Sequence, residues 1–72
     1  MHRKYEVWVT AYDPANYNHY IARMANRYDK KEQADFVVFE IKRGTTTAIK
    51  TVDGKWVDRD NILDISIEVY YC

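Results

Sequence analysis

The sequence is poor in the residues that staple, punctuate or recruit. Its one cysteine, Cys72, excludes an internal disulfide framework and any zinc site built on cysteine. Two glycines and one proline are too few for a low-complexity or fibrous chain. No run approaches the ~18 apolar residues that cross a membrane, and the start MHRKYEVWVTAYD lacks the apolar stretch of a secretory signal. Charge of one sign is missing as well. Eleven basic residues meet eleven acidic ones, so no bulk field draws the chain to DNA or an anionic membrane. A soluble, cytoplasmic protein with no membrane partner is the expectation.

What the chain has is aromatic and aliphatic surface: 47% hydrophobic residues, with seven Tyr, two Trp and two Phe to drive collapse. At 72 residues a fold buries only about 60% of the surface of its unfolded chain. That fits a single domain over residues 1–72, leaves no room for a cofactor-binding αβ fold, and favours help from a partner subunit.

Tyr5 to Tyr12 reads as a strand, with Tyr5, Val7, Val9 and Ala11 on one face and Glu6, Trp8, Thr10 and Tyr12 on the other. Asp13-Pro14 reads as a helix start, followed by an apolar stripe of Tyr17, Ile21, Met24 and Tyr28. His19, Arg23, Arg27 and Lys30 then form a basic helix face, ending near Asp29 to Lys31. Phe36 to Ile41 carries aromatic and β-branched residues on both faces, as a central strand does. Arg43-Gly44 is a tight turn into a β-rich run from Thr45 to Val52. Asp53-Gly54 is a second turn, returning through Lys55-Trp56-Val57. After the polar link 58–61, Ile65, Ile67, Val69 and Tyr71 alternate with Asp64, Ser66, Glu68 and Tyr70 in a last strand.

The expected fold is therefore α+β: a small, mostly antiparallel sheet of four to five strands packed on one helix, in the order β-α-β-β-β-β. A right-handed crossover would make the first two strands parallel. One helix covers one sheet face only, which leaves Trp8, Tyr12, Phe36, Val38 and Tyr70 on the other. Three fates compete for that face: the loops from Thr45 to Asn61, with Trp56, fold over it; a second copy covers it in a homodimer; or another molecule, first of all a protein, is recognised there.

Signals for chemistry are sparse. His2 and His19 have no cysteine or helical i+4 carboxylate beside them, so no metal site is expected. The run from Asp58 to Asp64 departs from a calcium loop, which would place glycine at Leu63 and glutamate at Val69. It reads as a turn whose carboxylates cap backbone amides. Phe36-Val37-Val38-Phe39 matches four positions of the strand signature of RNA-recognition sheets. Asp35 stands where that signature has Gly or Ala, and the second helix of that order is missing, so the match defines no family. No catalytic residue and no cofactor are expected. The chain reads as a non-catalytic macromolecular interaction protein, regulatory, inhibitory or structural. The alternative is single-stranded nucleic-acid binding through exposed sheet aromatics.

Overall fold

The computed structural model describes residues 2–13 and 15–71, with the backbone alone at position 17. The expected helical start at Pro14, the Tyr17 side chain of the apolar stripe and the Cys72 thiol lie outside the described residues. The fold is α+β, as expected: one helix and five strands in two antiparallel sheets. Strands β1 (Arg3–Asp13), β2 (Asn16–Tyr28) and β5 (Ile62–Tyr71) form the main sheet in the order β2-β1-β5. Helix α1 spans Lys31–Arg43, and β3 (Ala48–Lys50) pairs with β4 (Trp56–Asp58) in a small second sheet. A 3-10 turn, Arg59–Asn61, leads into β5.

The positions of helix and second strand are exchanged relative to the sequence expectation, and the cause is local. Asp13 does accept an amide, from Ala15 at 3.0 Å, and Asn16 accepts one from Asn18 at 3.1 Å. These are Asx turns that reverse the chain into an antiparallel hairpin rather than start a helix. Ile21 and Tyr28, seven residues apart, share the face of Val7 and Val9 only because of a bulge, and Met24 lies on the other face, so the expected stripe is divided between the two sides. Val7 pairs with Asn26 but Trp8 with Met24, so Ala25 is the extra residue and the period of two slips. The basic residues at 19, 23 and 27 therefore stand on a strand, and Lys30 is the N-cap of α1. No parallel crossover exists either, since β1 meets both of its neighbours antiparallel.

Residues 36–41 lie in α1, not in a central strand. Ala34, Val37, Val38 and Ile41 recur at helical spacing and pack on the sheet, while Phe36 and Phe39 point to solvent. The flanking residues decide for helix. Lys31 and Asp35 pair at i, i+4, Glu32 sits in the first turn, and Lys42 and Arg43 sit in the last. Gly44 closes the helix at φ 86°, so the expected turn at Arg43-Gly44 is a left-handed C-cap. The guanidinium of Arg59 finishes it, donating to the carbonyls of Ile41 at 3.0 Å and Lys42 at 3.3 Å.

The core lies between the sheet and α1. Val7 and Val9 are fully buried on β1, with Ala25, Ala34 and Ile41 around Val7, and Tyr5, Ile65 and Ile67 packed alongside. The β3–β4 hairpin lies on this same side. Ile49 joins the core cluster, Val57 is buried, and the Val52 amide donates to the Met24 carbonyl at 2.9 Å. The hairpin turns at the expected place but over three residues, Val52-Asp53-Gly54: the Gly54 amide donates to the Thr51 carbonyl at 3.0 Å, and Gly54, not Asp53, takes positive φ, at 85°. Asp53 also holds Arg23 and Thr51, tying the hairpin to β2.

Candidate interaction face

Helix and hairpin both occupy one side of the main sheet, which leaves its other face open. The loops around Trp56 therefore do not close over it, and Trp56 itself is 66% exposed on the covered side. Along β1 the open face carries Lys4, Glu6, Trp8, Thr10 and Tyr12, by the alternation that buries Val7 and Val9 on the opposite side. Register brings Tyr20, Ala22, Met24 and Arg27 of β2 beside Tyr12, Thr10, Trp8 and Glu6. From β5 come Tyr70, Glu68, Ser66 and Asp64, opposite Lys4, Glu6, Trp8 and Thr10.

Glu6 organises the middle of this face. Its carboxylate accepts the Trp8 indole N–H at 3.1 Å and two bonds from Arg27, Nε at 2.9 Å and Nη2 at 2.5 Å. The Arg27 guanidinium in turn stands 4.6 Å from the centre of the Tyr70 ring. This cover leaves Glu6 only 8% exposed, though no helix lies above it. The Trp8 bond, followed by the bonds and charge of Arg27, holds the Glu6 carboxyl below its ordinary 4.5 against the opposing effect of burial. A buried carboxylate here fixes the orientations of an indole, a guanidinium and, through the stack, a phenol. Nearer the hairpin end, the rings of Tyr12 and Tyr20 meet at 5.7 Å and a 57° tilt. Tyr20 is 62% and Tyr70 45% exposed, with Trp8 and Met24 half-buried between them.

Of the five residues expected on the open face, Trp8, Tyr12 and Tyr70 stand there together. Phe36 and Val38 do not. Phe36 is on the outer side of α1, and Val38 packs into the domain's own core because its segment is helical. The expected basic helix face is not assembled. Arg23 pairs with Asp53 on the covered side and Arg27 with Glu6 on the open side, while His19 is exposed on β2. Sequence reasoning missed Tyr20, Met24 and Glu6. A hairpin after Asp13-Pro14 would not by itself have found them, since the pairing slips between Asp13 opposite Asn16 and Tyr12 opposite Tyr20, and only that slip sets Tyr20 and Met24 beside Tyr12 and Trp8.

Among the described residues no group of three or more His, Cys, Asp or Glu is placed to hold a metal ion, and no helix is long and apolar enough to cross a membrane. Comparison with protein-family models, with curated proteins and with solved structures gave no match.

Proposed function

We propose that this protein is a non-catalytic interaction module that recognises another protein through the open sheet face. The observation that carries this proposal is the set Trp8, Tyr12, Tyr20, Met24 and Tyr70 on one sheet face, with Trp8 and Tyr70 oriented by the Glu6–Arg27 pair and Tyr12 and Tyr20 in contact with each other. Amphipathic aromatics bury large area at small entropic cost, and a preset guanidinium adds direction. Glu68 and Asp64 border the same face, and their charge repels a phosphate backbone, which favours protein over single-stranded nucleic acid.

The test is comparative affinity capture from host extract with wild type, Tyr20→Glu and Phe36→Glu. Both substituted side chains are highly exposed, so both variants are expected to fold. A partner retained by Phe36→Glu and lost by Tyr20→Glu supports the open face. A partner insensitive to Tyr20→Glu refutes it. Quenching of Trp fluorescence by a single-stranded oligonucleotide at micromolar, salt-sensitive affinity moves the assignment to nucleic acid.

A further inference from the structure

The outer edge of β5 is the least protected backbone in the fold. Strand β1 is paired on both sides, and the outer edge of β2 is met by the β3–β4 hairpin at Met24. Strand β5 pairs with β1 alone; at its start the Ile62 amide donates to the Arg59 carbonyl, and among the described residues no turn or loop backbone bond reaches residues 63–71. Natural edge strands are blunted by proline, lysine, a mid-strand bulge or shortness. This one is ten residues long, ILDISIEVYY, without proline or lysine, and its only register shift is near its start, opposite Thr10 and Ala11. The chain also exposes 5185 Å², whereas a compact monomer of its size exposes about 4,700 Å².

We infer that two copies of this chain pair their β5 edges antiparallel about a two-fold axis through Ile67, making one six-stranded sheet of order β2-β1-β5-β5-β1-β2. A two-fold relating neighbouring antiparallel strands runs perpendicular to the sheet. It keeps both helices on one side, and it pairs only residues of the same face. The axis therefore passes through a residue, and the charges choose which. An axis at Ser66 sets Asp64 against Glu68 on both sides of the centre, four carboxylates in two like-charge pairs. An axis at Ile67 avoids this. Ile67 meets Ile67, Ile65 meets Val69 and Leu63 meets Tyr71 on the covered face, while Ser66 meets Glu68 and Asp64 meets Tyr70 on the open face. Each Asp64 carboxylate then faces Tyr70 of the partner subunit, whose ring carries the Arg27 guanidinium at 4.6 Å in this chain. The pairing also buries Leu63, Val69 and Tyr71, which are 48%, 43% and 56% exposed in the single chain. It does not depend on what the open face binds, and it leaves that face clear.

Sedimentation velocity on the whole chain from about 1 to 100 μM tests the pairing, since contacts of micromolar affinity populate across that range. The expected result is a shift from one-chain to two-chain mass, and a monomer throughout overturns the inference. Val69→Lys places an edge lysine opposite Ile65 and should weaken the dimer at least about tenfold with an unchanged far-UV spectrum. A dimer indifferent to Val69→Lys but abolished by Tyr20→Glu assigns the contact to the open face and overturns the edge. The register has its own readout. In a Cys72→Ser background, Ile67→Cys lies on the axis and should oxidise readily to a cross-linked dimer, whereas Ser66→Cys lies on the ~7–8 Å diagonal and should not. Faster cross-linking through Ser66→Cys overturns the Ile67 axis.

Discussion

Replacing Val7 with alanine probes the joint between sheet and helix. Val7 is fully buried on the central strand, paired with Asn26 and Ile67 and surrounded by Ala25, Ala34 and Ile41. Alanine removes two methyl-sized groups, at ~0.8 kcal/mol of transfer free energy each. The void they leave, roughly 50 Å³ at ~24 cal/mol per Å³, adds about 1.2 kcal/mol if nothing collapses into it. Its walls are a bulged strand and a helix held at its C-terminus by Arg59, so little collapse is expected and the loss should be about 2–3 kcal/mol. A chain of this length has about 4–11 kcal/mol in total. The midpoint of thermal unfolding should therefore fall by roughly 8–24 °C. The control is Val69→Ala, the same substitution on β5 at a side chain 43% exposed, expected to cost less than about 1 kcal/mol. Urea and thermal denaturation, followed by Trp fluorescence, measure both at a concentration where the wild type is a single species. Equal losses at Val7 and Val69 would refute the placement of the core between β1 and α1.

Acid should unfold the domain partly through Glu6. Its folded pKa is lowered, so its contribution is present above the ordinary 4.5 and is lost as pH falls through the folded value; Asp29 and Asp53, lowered from 3.8 by Lys4 and by Thr51 with Arg23, act in the same direction. The urea midpoint should drop between pH 5 and pH 3, roughly the range in which such carboxylates protonate, and Glu6→Gln should flatten that drop while lowering stability at pH 7. Gly44→Ala should cost more than Gly54→Ala, although both residues have positive φ. Each pays about 1–2 kcal/mol for the left-handed backbone, but only at Gly44 does the new Cβ approach the Arg59 guanidinium, at 3.2 Å. In an Arg59→Ala background the gap between the two should close, and thermal denaturation of the four variants reads it.

The amino-acid pattern alone established the α+β class, β1 with both of its faces, the turn at Asp53-Gly54 and the alternation of β5. In each case a short-range rule applies without competition. Alternation over Tyr5–Tyr12 exceeds anything helical there, and Gly54 accepts the positive φ that the hairpin loop needs. The same pattern placed Trp8, Tyr12 and Tyr70 on the uncovered face, because strand parity requires no knowledge of partners. It misplaced the helix and β2, where local signals point both ways. Asp13-Pro14 serves a helix cap and an Asx turn equally, and the spacing of Ile21, Met24 and Tyr28 imitates a helical stripe although the bulged strand puts Met24 on the opposite face from the other two. In 36–41 a Phe-Val-Val-Phe run has β propensity, yet Ala34, Val37, Val38 and Ile41 share a helical stripe and Gly44 caps it. Propensities of a few tenths of a kcal/mol per residue cannot choose between such alternatives. Burial chooses: β2 gains a full antiparallel ladder with β1, and α1 gains the core above Val7. Only that pairing brings Arg27 to Glu6 and Tyr20 to Tyr12, because a contact across strands depends on register, which tertiary packing alone sets.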